Sequence, residues 1–250
     1  MIERENRGGV DILRLARGKA NALDLELTRA LLDRFRQLRR ESSGAVVLTA
    51  RGDIFCAGVD LKKILSGGAA YVDEFLPLMS AMFREIFTFP RPVIAAINGH
   101  AIAGGCILAL ACDWRVMTRV NAEIGMPELP VGVPFPTVPL EIVRSAVPPE
   151  RFATLIMRGR RFRPEEAVEI SLVHELADPG ALEERALDAA SRMGSMSPRS
   201  FAQVKAMLRA PAVERFDADD AAVIETWKSE ETTARIRSWL DAVLGAKRAE

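Results

Sequence analysis

The chain of 250 residues has few of the residues that build disulfide frameworks or metal sites. It contains three cysteines and two histidines. Cys56, Cys106 and Cys112 are odd in number, lie in apolar stretches and lack C-x-x-C spacing, which argues against a disulfide framework and a zinc site. The two histidines, His100 and His174, lack the spacing of metal ligands. We therefore expect no metal, and the unpaired thiols favour a reducing, cytoplasmic location.

An excess of charge of one sign is also absent. The 34 Lys and Arg residues balance 34 Asp and Glu residues. Neither half contains a basic block or a basic stripe interleaved with aromatic residues, which disfavours a nucleic-acid surface. No apolar run approaches the ~20 residues of a membrane span, and the first residues are polar. We expect a globular protein that binds neither nucleic acid nor membrane, with 49% hydrophobic residues to supply a core.

Several common catalytic and nucleotide-binding signatures are missing as well. There is no G-x-G-x-x-G after a strand, no H-E-x-x-H and no G-x-S-x-G. The segment 99–106 has the glycine spacing of a P-loop. However, Gly105 stands where that motif requires lysine, and Cys106 stands where it requires serine or threonine. These absences argue against dinucleotide binding, nucleoside triphosphate binding, zinc proteolysis and serine hydrolysis.

Short apolar runs alternate with segments of helical periodicity. The runs 45–50 and 93–97 are typical of buried strands, and each leads into a glycine-bearing segment and then a helix. Such repeating units predict an α/β fold. A composition shift near residue 196 predicts a core over 1–196 and a helical region over 197–250. Other predicted strands cover 9–15, 114–117, 122–124 and 172–176, and helices cover 72–87, 104–111, 140–147, 181–193, 197–208 and 214–244, with another beginning at residue 24.

The two glycine-bearing segments, 54–61 and 98–106, each lie between a predicted strand and a predicted helix. Helix starts leave backbone N–H groups without intrahelical partners, and two such ends facing one another can hold a developing enolate oxygen. A single carboxylate, Glu128, follows among apolar residues. Each glycine alone is better explained by a tight turn or close helix packing, but the joint pattern favours an oxyanion hole.

Together these segments resemble the crotonase family, also called the enoyl-CoA hydratase/isomerase family. The resemblance covers roughly residues 10–176. It implies a spiral of repeated ββα units, with a helical C-terminal region that forms a homotrimer or a dimer of trimers. It also implies an acyl-CoA thioester substrate, with coenzyme A as part of the substrate and no separate cofactor. The motifs that carry it are Lys19–Leu23, Phe55–Leu61, Ile97–Cys106, and Cys112–Asp113 followed by Pro127–Gly132.

The resemblance assigns roles to individual residues. It places the backbone N–H groups of Val59 and Gly104 in an oxyanion hole and makes Glu128 the acid/base. The apolar neighbours of this glutamate are expected to raise its pKa. Asp60 also fits a helix N-cap, and Lys19 also fits a solvated loop charge. The residues expected to bind the substrate are Lys19, Ala20, Ala22, Ala57, Gly58, Asp60, Leu61, Gly105 and Ile107.

Ile107 departs from the pattern of the family's hydratases, which have a glutamate here that helps to hold the added water. Isoleucine can neither bind water nor carry a proton. The resemblance therefore favours isomerisation of 3-enoyl-CoA to 2-enoyl-CoA, in which one carboxylate takes a proton at C2 and returns it at C4. The alternatives are a 2-enoyl-CoA hydratase in which another group orients water, and a non-catalytic acyl-CoA-binding protein. The acyl chain and the pathway stay open.

Overall fold

The computed structural model describes residues 1–41 and 44–249, and within them the chain forms ten strands and ten α-helices. The last residue of the predicted helical region, 250, lies outside the described residues. The strands are β1 (Ile2–Arg7), β2 (Val10–Leu15), β3 (Ala45–Ala50), β4 (Ile54–Cys56), β5 (Val93–Ile97), β6 (His100–Ile102), β7 (Trp114–Thr118), β8 (Ile124–Gly125), β9 (Arg161–Phe162) and β10 (Glu175–Ala177). The α-helices are α1 (Leu25–Arg40), α2 (Leu61–Phe87), α3 (Gly104–Leu110), α4 (Glu128–Val131), α5 (Thr137–Ala146), α6 (Pro164–Glu169), α7 (Leu182–Gly194), α8 (Pro198–Val213), α9 (Ala221–Lys228) and α10 (Glu230–Ala249).

The strands form two sheets through a repeated ββα unit. The larger sheet has the order β1-β2-β3-β5-β7-β10, and the smaller has the order β4-β6-β8-β9. In the pairs β3-β4, β5-β6 and β7-β8, the first strand joins the larger sheet and the second joins the smaller, and a helix follows each pair. Neighbouring repeats pair in parallel, whereas β1 and β9 run antiparallel to their neighbours. The chain therefore advances as a spiral, as the family resemblance implies.

The structure corrects several predicted boundaries. Helix α2 begins at Leu61 rather than near residue 72, and Asp60 caps it by accepting hydrogen bonds from two backbone N–H groups at 3.1 and 3.2 Å. Gly68 has a φ of 61° and interrupts this helix, which breaks the apolar periodicity. The single helix predicted over 214–244 is instead α9 and α10, because the backbone at Ser229 is extended. Strand β10 begins later than predicted, and the polar edge strand β1 was not predicted.

Two interfaces determine where the functional residues lie. All seven residues of α3 are buried, as expected for a helix that is apolar on every side. Helix α9 packs against α2, and helix α10 packs against both α2 and α4 of the same chain. Within the described parts of the chain, no helix combines the length and apolar character needed to cross a bilayer. The predicted division at residues 196 and 197 stays a prediction.

Helix α8 is attached to the core by buried ion pairs. Lys205 Nζ lies 2.6 Å from Asp113 Oδ2, and Arg209 Nη2 lies 2.8 Å from Asp113 Oδ1. The Asp113 carboxylate also accepts a hydrogen bond from the backbone N–H of Val93 at 2.8 Å. One carboxylate therefore pairs with two largely buried cations and connects α8 to the central strands.

Candidate active site

Two backbone loops, each following a strand of the smaller sheet, meet at a cavity of about 400 Å³. Gly58, in the first loop, has a φ of 87°, which an L side chain rarely adopts. A methyl group added there would lie 2.9 Å from the carbonyl oxygen of Ile102 and 2.8 Å from Cβ of Ala103, both in the second loop. Glycine at position 58 therefore allows the two loops to approach closely.

The close approach brings two backbone N–H groups into the wall of one cavity. The N–H of Leu23 donates to the carbonyl of Gly58 at 2.8 Å, and the carbonyl of Leu23 accepts from the N–H of Asp60 at 2.9 Å. This parallel bridge directs the N–H of the intervening Val59 away from Leu23. Gly104 is the first residue of α3, so its N–H has no intrahelical acceptor. Val59 and Gly104 both line the cavity, so the two residues that the resemblance assigns to an oxyanion hole lie together there.

Ala103 holds the second loop in a strained conformation. Its φ of 53° and ψ of −124° are typical of glycine, and such a backbone costs about 1–3 kcal/mol in other residues. Its N–H donates to the carbonyl of Gly125 at 2.8 Å, and its carbonyl accepts from the N–H of Ile107 at 3.1 Å. These bonds fix the turn that presents the N–H of Gly104. Alanine at this position gives no signal in the sequence that its φ is positive.

Glu128 is a buried acid at the first residue of α4. Its side chain lies in the cavity wall, and the residue is 8% exposed. Within the described residues, its Oε2 atom is buried and has no hydrogen-bond partner. Burial raises the pKa of Glu128 to about 8, against a smaller opposing effect from its own backbone N–H. At neutral pH this carboxyl group is therefore poised between its acid and base forms.

Ile107 lies in the same cavity wall and is 3% exposed. Among the described residues that line the cavity, the carboxylates are those of Asp60 and Glu128. The Asp60 carboxylate is occupied as the N-cap of α2. Glu128 is thus the buried carboxylate of this cavity, and Ile107 adds an apolar surface.

The structure brings most of the predicted site residues together. Those in the cavity wall are Ala20, Ala22, Ala57, Val59, Asp60, Leu61, Gly104, Ile107 and Glu128. Two predicted residues are not among the described residues that line the cavity. Lys19 is exposed, and Gly58 lies against Ile102 and Ala103 of the second loop. Gly105 also lies outside the described lining, and a methyl group added there would lie 2.0 Å from the carbonyl oxygen of Cys56. Gly105 therefore serves close packing of α3.

Several wall residues were not predicted, and they come from helices and loops outside the recognised motifs. Trp227, for example, belongs to α9, which is distant in sequence from the glycine loops. Apolar periodicity marks a side chain as buried, but it does not tell whether that side chain packs in the core or lines a cavity. The unpredicted apolar wall residues include Val133, Phe135, Trp227, Trp239 and Leu240.

The histidines are engaged with backbone groups. Nδ1 of His100 accepts from the N–H of Glu123 at 3.1 Å, and Nδ1 of His174 accepts from the N–H of Arg115 at 3.0 Å. Burial lowers the pKa of His174 to about 4, which keeps its ring neutral. Over residues 1–41 and 44–249, no three His, Cys, Asp or Glu side chains are grouped as a metal ion would require.

Comparison with known proteins gives likenesses in both sequence and fold. A family model described as enoyl-CoA hydratase/isomerase matches residues 5–240. A carnitinyl-CoA dehydratase of Salmonella typhi is 34% identical over 198 residues, which are 78% of this chain and 75% of that protein.

Two solved structures share the fold. The human mitochondrial delta3-delta2-enoyl-CoA isomerase superposes with a TM-score of 0.92 at 22% identity, covering 98% of this chain and 99% of that one. An enoyl-CoA hydratase from Bacillus halodurans superposes with a TM-score of 0.85 at 24% identity, covering 95% and 99%. At these identities the likeness shows the fold alone. The names of the three proteins cover dehydration, isomerisation and hydration, so similarity does not select the reaction.

Proposed function

This chain is an enzyme of the enoyl-CoA hydratase/isomerase family, and we propose that it isomerises 3-enoyl-CoA thioesters to 2-enoyl-CoA. The observation that carries the proposal is that Glu128 is the single buried carboxylate among the described residues of the cavity wall, to which Ile107 contributes only hydrocarbon. A double-bond shift needs one group that removes and returns a proton. Addition of water would require the site to orient that water as well.

The proposed reaction begins with the ionised form of Glu128. Its carboxylate removes a proton from C2 of the 3-enoyl thioester, and the electron pair moves into a dienolate with its negative charge on the thioester oxygen. The N–H groups of Val59 and Gly104 donate hydrogen bonds to that oxygen. Such preorganised donors are each typically worth ~10²–10³ in rate.

The neutral acid form of Glu128 completes the reaction. It returns the proton at C4, the thioester carbonyl re-forms, and the new double bond lies between C2 and C3. Burial raises the pKa of the glutamate to about 8, which makes both protonation states accessible near neutral pH. No atom is gained or lost, and Glu128 ends the cycle ionised.

We place the coenzyme A portion of the substrate, by the family resemblance, beside Ala20 and Ala22, with Lys19 exposed nearby. The thioester then lies at the two N–H donors, close to Ala57, Asp60 and Leu61. The apolar remainder of the cavity is left for the acyl chain. Coenzyme A enters as part of the substrate, and the proposed chemistry requires no separate cofactor.

Product analysis tests the proposed reaction against hydration. The protein is incubated separately with 3-hexenoyl-CoA and 2-hexenoyl-CoA, and the products are resolved by chromatography and weighed. The proposal predicts conversion of the first substrate to 2-hexenoyl-CoA of unchanged mass. Efficient addition of one water to 2-hexenoyl-CoA without isomerisation would instead support a hydratase.

We also propose a homotrimer or a dimer of trimers in the cytoplasm. Helix α8 exposes apolar side chains at Val204, Met207 and Leu208, with exposed fractions of 55%, 75% and 74%, which favours self-association. Cys56, Cys106 and Cys112 are buried free thiols, which suit a reducing compartment. Molar mass in solution tests the assembly, and cell fractionation tests the location.

A further inference from the structure

The segment that follows Glu128 is held from outside by the C-terminal helices. We call residues 132–136 the prolyl loop. At its beginning, the N–H of Val133 donates to the carbonyl of Glu128 at 3.0 Å. Further along, Nε1 of Trp227 in α9 donates to the carbonyl of Pro134 at 2.9 Å. The loop is thus connected to the candidate acid/base on one side and to α9 on the other.

Composition explains why the loop needs this support. Pro134 and Pro136 have no backbone N–H, so the loop has few donors for internal hydrogen bonds. Just beyond it, the N–H and hydroxyl of Thr137 donate to Oδ1 of Asp220 at 2.9 and 2.7 Å. Asp220 directly precedes α9. The loop conformation therefore depends on contacts from the same short region of the chain.

Trp227 also forms part of the cavity itself. The residue is 3% exposed, and it lies in the same wall as Glu128, Phe135 and Leu240. An acyl chain that extends past the reacting carbons along this wall meets aromatic and aliphatic side chains. A charged or hydroxylated chain end there would lose water without gaining a hydrogen-bond partner.

We propose that Trp227 is a specificity-determining residue, which selects unsubstituted hydrocarbon acyl chains that extend beyond the four reacting carbons. Its ring forms the packing surface for the chain, and its indole N–H holds the prolyl loop in the shape that completes this surface. The inference rests on the proposed isomerase function. It assigns acyl selection to the C-terminal helices of the same chain.

The test compares Trp227→Phe, which keeps a ring and removes the N–H donor, with the wild type on 3-hexenoyl-CoA and 3-dodecenoyl-CoA. We expect kcat/KM for the longer substrate to fall about tenfold more than for the shorter one, the size expected for one lost buried hydrogen bond. The loss should appear mainly in KM of the longer substrate. Trp114→Phe is the matched control, because Nε1 of Trp114 donates to Glu175 at 2.8 Å and the residue lies outside the described cavity wall.

The outcomes separate this inference from the proposed function. If the wild type isomerises neither substrate, the proposed function fails. If it isomerises both but Trp227→Phe slows them equally, or behaves as Trp114→Phe does, the assignment of specificity is overturned. Should Trp227→Phe not fold by circular dichroism, Asp220→Ala removes the acceptor of both Thr137 hydrogen bonds and loosens the other end of the prolyl loop. The same selective loss on the longer substrate is then expected, and its absence overturns the inference.

Discussion

Turnover should rise with pH as Glu128 ionises. Burial raises the pKa of Glu128 from 4.5 to about 8, so about a tenth of the molecules carry the base form at pH 7 and about a hundredth at pH 6. If the carboxylate removes the C2 proton, kcat/KM for 3-hexenoyl-CoA should rise about tenfold per pH unit below this pKa. Above pH of about 8 the profile should level off.

The same pKa shift has a consequence for stability. Because the folded protein keeps a proton on Glu128 that the unfolded chain releases near its ordinary pKa of 4.5, the free energy of unfolding should fall as pH rises from about 4.5 to about 8. At about 1.4 kcal/mol per pKa unit, the decline has an upper limit of about 5 kcal/mol. Glu128→Gln cannot ionise and should lack this part of the decline.

The assay is the pH dependence of initial rates for the wild type, Glu128→Gln and Glu128→Asp, with chemical denaturation at each pH. We expect Glu128→Gln to lose activity by orders of magnitude while it stays folded. Glu128→Asp keeps an ionisable group, and its residual rate should still depend on pH. A flat wild-type profile, or full activity in Glu128→Gln, would show that Glu128 is not the base.

Three further predictions concern stability and are measured by thermal and chemical unfolding. Gly105→Ala should destabilise by about 3 kcal/mol or more, because its methyl group meets a fixed carbonyl oxygen, whereas Gly180→Ala enters open space and should be close to neutral. Asp113→Asn leaves two buried cations without their carboxylate and should cost about 3–5 kcal/mol, against less than about 1 kcal/mol for Asp188→Asn in an exposed pair. Ala103→Gly relieves a positive φ and should stabilise by about 1 kcal/mol; a loss of stability would contradict the strain assigned there.

The fold was most predictable where a local pattern also determines the tertiary role. The apolar runs 45–50 and 93–97 are β3 and β5, which lie in the middle of the larger sheet. Both faces of such strands are buried, and that is why their sequences are continuously apolar. The start of α2 could not be placed from periodicity, since Gly68 interrupts the helix. The break at Ser229 was missed because the residues on either side continue a helical pattern.

The candidate site divides in a similar way. Residues of the two glycine loops and Glu128 lie in the wall of one cavity, and a short stretch of sequence specifies each of these segments; their catalytic roles stay predictions. The remaining wall depends on contacts between distant parts of the chain, such as Trp227 and Pro134, which are 93 positions apart. The C-terminal helices, expected from the resemblance to form trimers, also pack over the cavity of their own chain. The trimer itself stays a prediction.

In the proposed reaction one carboxylate, Glu128, moves the same proton from C2 to C4. The most direct test of this transfer is a single turnover of 3-hexenoyl-CoA carrying deuterium at both C2 positions, in ordinary water, with the product examined by nuclear magnetic resonance. We expect 2-hexenoyl-CoA with deuterium at C4, delivered by the buried glutamate before exchange with solvent is complete. A product whose new C4 hydrogen comes entirely from water would show that Glu128 does not carry the proton from C2 to C4.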